Sequence, residues 1–195
     1  MPAYPDLFVM RHGQTVWNLA GRFQGRLDSD LTALGRGQAK QQAGILQALK
    51  LPKSATGCFS SPQGRALATA KIALAPLGQA IVADHRLQEI AFGDWEGMTT
   101  LDIEHHAPDV KTGGPDKSWY FSAPNGESFQ QIGHRLRQFL QSLDRPAAVV
   151  THGFTSIILR GIWLGMDKAD MLVLPHKQGC VYHLSRGRET CLSAD

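Results

Sequence analysis

Cysteine is scarce in this 195-residue chain: Cys58, Cys180 and Cys191 are an odd number without close spacing. That pattern excludes a disulfide framework and a zinc knuckle, and makes a reducing cytoplasm the default setting. No apolar run is long enough to span a membrane, and Met1-Pro2-Ala3-Tyr4-Pro5-Asp6 has neither the basic segment nor the apolar core of a signal peptide. A soluble, cytoplasmic protein without membrane partners is therefore expected. Runs of one charge are also missing. The 20 Lys and Arg residues are scattered against 17 Asp and Glu, for a net charge of +3. This excludes a nucleic-acid-binding stripe and better suits local pockets for small anions. There is no internal repeat or low-complexity tract. Histidines are present at His85, His105, His106, His134, His176 and His183, but their spacing forms no metal-ligand set, so no metal is expected.

With 43% hydrophobic residues, the chain can bury a substantial core as one domain spanning 1–195. Leu7-Phe8-Val9-Met10 is an apolar run between Pro5-Asp6 and a polar Arg-His-Gly, which predicts a buried strand ending in a loop. Thr32 can cap a helix to about Lys50 with Leu34, Ala39, Ala43, Leu46 and Leu49 on one face, although Gly35, Gly37 and Gly44 weaken it. A strand over 55–59 precedes a helix over about 64–75, and 80–83 is a third strand candidate. Ser128 to Arg145 has the clearest helical period, through Phe129, Ile132, Leu136, Leu140 and Leu143. A strand over 147–151 then delivers His152-Gly153 to a helix over about 155–164. Segments 180–184 and 189–192 flank Ser185-Arg186-Gly187-Arg188 as a closing hairpin. The alternation implies a three-layer α/β/α sandwich with a largely parallel central sheet. The segment from about Thr99 to Asn125, with Gly113-Gly114-Pro115 and Trp119-Tyr120-Phe121, departs from this grammar and looks like a lid-like insertion.

In such sheets, ligands bind beyond the carboxyl ends of the strands. Two predicted strands carry Arg11-His12-Gly13 and His152-Gly153 to that edge, and the loop carrying Arg65 belongs there too. Two imidazoles and two guanidiniums in one neighbourhood suit a dianionic phosphoryl group, because guanidinium forks match its oxygens and helix N-termini add donors.

Arg11-His12-Gly13-Gln14-Thr15-Val16-Trp17-Asn18, Leu31-Thr32-Ala33-Leu34-Gly35-Arg36-Gly37-Gln38-Ala39 and Ser60-Ser61-Pro62-Gln63-Gly64-Arg65-Ala66-Leu67-Ala68-Thr69-Ala70 occur in order. Leu87-Gln88-Glu89-Ile90-Ala91-Phe92-Gly93-Asp94-Trp95-Glu96-Gly97, Pro124-Asn125-Gly126-Glu127-Ser128 and Val149-Val150-Thr151-His152-Gly153 follow. Through most of its length the chain thus resembles the histidine phosphatase superfamily, in the phosphoglycerate mutase-like branch and most like its small phosphatases. The resemblance implies His12 as a nucleophile that becomes phosphohistidine, with the Gly13 carbonyl region fixing its tautomer. It implies Glu89 as general acid and then base, and Arg11, Arg65 and His152 as holders of the phosphoryl oxygens, His152 best when protonated. Asn18, Gln24 and Gly25 would contact substrate near the entrance. No metal and no organic cofactor are implied.

The expected reaction is hydrolysis of a small-molecule phosphate ester, making this a histidine acid phosphatase-like monoester hydrolase. A mutase-type phosphotransferase is the alternative, and a catalytically idle phospho-ligand binder the alternative of another class. The shorter segment between Glu89 and His152, Phe92 where related mutases carry tyrosine, and an aromatic lid whose basic residues are Lys111 and Lys117 favour the phosphatase and a neutral or weakly charged leaving group. Phe154, where a second glycine is common, is the local departure and narrows the expected pocket floor. Glu127-Ser128 is expected first to cap a helix, and Trp119-Tyr120-Phe121 to pack the lid. A homo-oligomer stays open, since an edge hairpin or an exposed helix can pair with a second copy.

Overall fold

In the computed structural model, which describes residues 4–110, 112 and 117–193, the apolar run after Asp6 forms β1 (Leu7–Arg11) at the centre of a six-stranded sheet. Around it lie α1 (Val16–Leu19), α2 (Ala33–Ala48), β2 (Gly57–Ser60), α3 (Gly64–Ala73), β3 (Val82–Ala83) and α4 (Thr100–His106). The chain continues through α5 (Phe129–Gln141), β4 (Ala147–Thr151), α6 (Gly153–Leu164), α7 (Lys168–Leu172), β5 (Val181–Ser185) and β6 (Arg188–Leu192). The strand order is β3-β2-β4-β1-β5-β6, parallel through the first four and antiparallel at β5 and β6.

β1 and β4 read as unbroken apolar segments because both of their faces are covered. Leu7, Val9, Ala147 and Val149 enter one core with Ile132, Leu136, Ile157 and Ile158 from α5 and α6. Their alternates, Phe8, Met10, Ala148 and Val150, enter a second core with Leu46, Ala66 and Ala70 from α2 and α3. Each fully buried Leu or Ile contributes about 1.5–3 kcal/mol, so the second core rather than helix propensity holds α2 and α3. The three-layer reading is thereby observed directly.

Insertion of β4 between β2 and β1 puts the carboxyl ends of β1 and β4 side by side. The His12 amide extends their ladder by donating to Thr151 O at 2.9 Å. His12 and His152 thus leave adjacent strands at the same edge, and α6 starts immediately beyond, with His152 as its N-cap residue.

Several boundaries moved for local reasons. The helix expected to reach Arg145 stops at Gln141, where the Ser142 hydroxyl turns back to donate to Phe139 O. The helix after Arg65 ends at Ala73 and tightens into a 3-10 turn, Ala75–Leu77, closed by Gly78 in the left-handed region. The hairpin turn places Arg186 and Gly187 both at positive φ, the form a two-residue hairpin requires. Leu34, expected on the buried face of α2, is 57% exposed. The face that packs is Gly35, Ala39, Gln42, Ile45 and Leu46.

That shift explains Gly35, which sequence propensity alone treats as a weakness. A Cβ on Gly35 would sit 2.1 Å from Gln14 O, and one on Gly13 would sit 2.2 Å from Gly35 O. The loop after His12 therefore lies directly on the first turn of α2, a separation only two glycines permit. Gly37 has nothing within 4 Å of such a Cβ. Gly35→Ala should accordingly lower stability by about 1–3 kcal/mol through overpacking, whereas Gly37→Ala should raise it by about 0.5–1 kcal/mol. Urea unfolding of the two variants checks the opposite signs.

Candidate active site

The shared strand edge opens into a cavity lined by Arg11, His12, Asn18, Gln24, Gly25, Arg65 and Glu89, with Phe23, Phe92, Tyr120 and Phe154 on its other side. Seven of the eight site residues expected from sequence therefore meet here. The eighth, His152, is fully buried and sits behind the lining, its ring centroid 5.2 Å from that of His12.

His12 is fixed from below. Its Nδ1 lies 2.7 Å from Gly13 O, a contact only a protonated Nδ1 can make, so in the neutral ring Nε2 keeps its lone pair. The Gly13 amide in turn donates to Thr69 Oγ1, whose hydroxyl donates to Arg65 O. Burial, together with repulsion from Arg65 and Arg11, pulls the His12 pKa well below 6.5 against the opposing bond to Gly13. The ring is thus neutral at physiological pH and available as a nucleophile.

Arg65, 2% exposed, is clamped from three sides. Its Nη1 donates to Leu27 O and to Asp28 Oδ1, its Nη2 to Gly25 O, and its Nε has no partner among the described residues. Arg11 donates from Nη1 to His176 O at 3.1 Å, and its Nε is likewise buried and unpartnered. Unsatisfied buried donors are costly. Two buried guanidinium N–H groups are thus left over beside one cavity, an arrangement that suits an anion. Burial lowers both arginine pKa values, and mutual repulsion adds to the effect at Arg11.

Glu89, 8% exposed, is held at the start of α6. Its Oε1 accepts from Thr155 N at 3.0 Å and its Oε2 from Phe154 N at 3.2 Å, while the Thr155 hydroxyl, 3.0 Å from Oε1, has its shorter contact at 2.7 Å with Gln88 O. A carboxylate at a helix N-terminus is electrostatically well placed. Gln63 holds the backbone on either side: its Oε1 accepts from Glu89 N and its Nε2 donates to Gly25 O.

Asn18 closes a capping box with Thr15 through Oδ1, which also accepts from Gln178 Nε2, so its amide N–H2 is the group left for a ligand. The Gly25 carbonyl serves Arg65 and Gln63, and a Cβ there would strike the Glu96 side chain. Gln24 is buried and accepts from Ser29 Oγ.

Three expectations need correction. His152 is not favoured as an imidazolium: burial and the charges of Arg65 and Arg11 hold it well below 6.5. Glu127 does not cap α5. Ser128 does, in a capping box with Gln131, while Glu127 accepts from Arg135 at 2.6 and 2.9 Å and faces Arg26 at 3.4 Å. Tyr120 does more than pack the lid, because it lines the cavity as well as stacking on Trp119 at 3.9 Å. Phe154 does take its place on the wall, 4.1 Å from the Tyr120 ring. Lys111 and Gly113-Gly114-Pro115 lie outside the described residues.

Several supporting residues escaped the sequence reading. Asp28 anchors Arg65 and the first turn of α3, yet lies 37 positions away in a loop with no local signal. Ser61 and Gln63 stand within the motif 60–70, where nothing in the local sequence marks them as partners of His152 and Glu89. His176 and Gln178 come from the loop before β5, which is braced by the fully buried Arg160. That guanidinium donates to Pro175 O, pairs with Glu189 at 2.8 Å and stacks on Tyr182. Among the described residues no group of three or more His, Cys, Asp or Glu could hold a metal ion, and no helix is long and apolar enough to cross a membrane.

Comparison with known proteins agrees with this geometry. The profile of the histidine phosphatase superfamily (branch 1) matches residues 7–193. This chain belongs to that superfamily. It is 36% identical over 181 residues to the glucosyl-3-phosphoglycerate phosphatase of Mycolicibacterium vanbaalenii, covering 86% of this chain and 78% of that protein. The solved structure of a mycobacterial glucosyl-3-phosphoglycerate phosphatase in complex with VO3 is similar at a TM-score of 0.80 and 30% identity, over 93% of this chain and 91% of that one. The α-ribazole phosphatase of Shigella flexneri gives a TM-score of 0.81 at 25% identity, over 97% and 96%. General phosphatase activity is thus supported, in a superfamily fold whose named relatives act on different esters.

The two neutral imidazoles tie stability to pH. Below pH 6.5 the unfolded chain binds protons at His12 and His152 that the native protein does not, so stability falls with acid by up to about 1.4 kcal/mol per pH unit for each. Urea midpoints at pH 7 and pH 5 should differ in that direction, and His12 and His152 ring resonances should show no titration near 6.5.

Proposed function

We propose that this protein hydrolyses small phosphate monoesters through a phosphohistidine at His12. The observation that carries the reading is the His12 geometry: Nδ1 committed to Gly13 O, and Nε2 in a cavity walled by Arg11, Arg65 and Glu89. Nε2 attacks phosphorus and the bond to the leaving oxygen breaks. Glu89 supplies the proton that the leaving alkoxide takes up. Water then attacks the phosphohistidine, Glu89 takes its proton, the P–N bond breaks and inorganic phosphate leaves. Arg11 and Arg65, with their unpartnered Nε–H groups, stabilise the equatorial oxygens in a loose transition state, and Asn18 adds a donor. The reading needs no metal or organic cofactor, since the arginines supply the charge stabilisation a divalent ion gives elsewhere.

Phe23, Phe92 and Phe154 line the cavity together with Arg22, and Tyr120 joins them from 99–125, which we read as a lid that completes a largely aromatic wall for the leaving group. Burial and the charges of Arg11 and Lys117 hold His176, also on the wall, at about 4 and hence neutral. This favours a neutral or weakly charged leaving group over the second anionic group that a mutase must retain. The relatives named above are glucosyl-3-phosphoglycerate and α-ribazole phosphatases, and both esters belong in the first substrate panel. We further read the protein as cytoplasmic, without nucleic-acid or membrane partners.

Phosphate release from a panel of esters tests the reading. His12→Ala should abolish turnover, and protein trapped in mid-reaction should carry acid-labile, base-stable phosphate. Equal turnover by wild type and His12→Ala, or interconversion of phosphoglycerates faster than phosphate release, would refute it. Glu89→Gln should slow alkyl phosphates about 10²–10⁴-fold and p-nitrophenyl phosphate far less, because that leaving group needs little protonation. Activity should survive chelators.

A further inference from the structure

The orientation of His152 raises a question that the phosphoryl reading leaves open. A neutral imidazole offers an N–H at one nitrogen and a lone pair at the other, and only the former attracts a phosphoryl oxygen. Granted the phosphoryl reading, the neighbours of His152 decide that choice.

His152 Nε2 lies 2.7 Å from Ser61 Oγ. Its Nδ1 is buried with no partner among the described residues. Ser61 is itself fully buried, and its position follows from the sheet. β2 pairs with β4 in the register Ser60 to Val150, and Ser61 N extends that ladder to Val150 O, which sets Ser61 beside the first residue after β4.

The Ser61 hydroxyl has one proton to give. Three groups surround it: His152 Nε2 at 2.7 Å, Gln63 N at 3.3 Å and Gln63 Oε1 at 3.4 Å. Gln63 N–H can only donate, so it occupies a lone pair of Oγ. Gln63 Oε1 is distant and already accepts from Glu89 N at 2.8 Å. Giving the proton to the short contact makes the stronger bond, whereas an Nε2–H donor would leave the hydroxyl only the 3.4 Å contact to Gln63 Oε1. We propose that Ser61 is a positioning residue: its hydroxyl donates to His152 Nε2 and holds that imidazole as the neutral Nδ1–H tautomer, whose N–H binds an oxygen of the phosphoryl group.

The surroundings favour this arrangement over an imidazolium. The charged groups that act on the His152 ring are Arg65, Arg11 and Arg135, with His12 beside it, and no carboxylate bonds to either nitrogen. Protonating Nε2 would also force the Ser61 hydroxyl to turn towards the longer contact. A neutral donor adds a hydrogen bond to the phosphoryl group without placing a third repelling cation beside Arg11 and Arg65.

Long-range ¹⁵N–¹H correlation spectra of wild-type protein at neutral pH, with and without saturating inorganic phosphate, test the tautomer directly. The expected spectrum shows Nε2 unprotonated and Nδ1 bearing hydrogen, with the Nδ1–H signal moving when phosphate binds. Ser61→Ala should mix the tautomers and weaken both inorganic phosphate binding and kcat/KM about tenfold, while Ser61→Thr, which keeps the hydroxyl, should restore the Nδ1–H signature and most of the activity. Hydrogen at Nε2 or at both nitrogens in the wild type would overturn the proposal, whether or not Ser61→Ala folds. So would a wild type that releases phosphate from esters while its His152 signals ignore the bound anion; that outcome leaves the phosphatase reading standing. A protein that neither binds phosphate nor hydrolyses any ester overturns the phosphatase reading itself.

Discussion

Like charge confined at one sheet edge is the constraint on which the rest of the site depends. Arg11 and Arg65 stand beside two buried imidazoles, and in a low-dielectric interior such groups repel strongly. The fold answers in two ways. Burial and the arginines together keep both rings neutral, so the cationic charge stays on the guanidiniums. Each guanidinium is then held by acceptors: backbone carbonyls and Asp28 for Arg65, the His176 carbonyl for Arg11. Each still keeps a buried Nε–H without a partner among the described residues, which suits the site to an anion.

Positioning falls mainly to backbone. The Gly13 carbonyl orients His12, the Gly25 carbonyl bridges Arg65 and Gln63, and the amides of Phe154 and Thr155 hold Glu89. Backbone dipoles cannot rotate independently of the elements that carry them, which is the kind of preorganisation that charge stabilisation in a transition state requires. The close approach of Gly13 and Gly35 belongs to the same design, because it ties the loop carrying the proposed nucleophile to a helix rooted in the core.

Much of this was legible in the sequence, unevenly. β1 and β4 were readable because strands covered on both faces leave continuous apolar runs, and α5 because one of its faces is wet. The common edge was legible because Arg11-His12-Gly13 and His152-Gly153 each follow directly on a predicted parallel strand. What could not be read were long-range polar contacts. Asp28 to Arg65, Ser61 to His152 and Gln178 to His12 O link residues whose types are unremarkable and whose spacing has no period. The buried face of α2 was misplaced by one position because hydrophobicity pointed to Leu34, whereas the contact is made by a glycine. Protonation was the other blind spot. The charge on His152 depends on burial and on neighbours 87 and 141 positions away in Arg65 and Arg11, which no local pattern encodes.

The manner in which Glu89 is held has a consequence for how such a site can diversify. Its carboxylate is gripped partly by the main-chain amide of residue 154, while the side chain of that same residue forms part of the wall facing the leaving group. Any amino acid except proline supplies that amide. The wall at 154 can therefore be rebuilt from glycine to phenylalanine without withdrawing the grip on the acid, and selectivity for the ester can drift while the proton-transfer apparatus stays where it is.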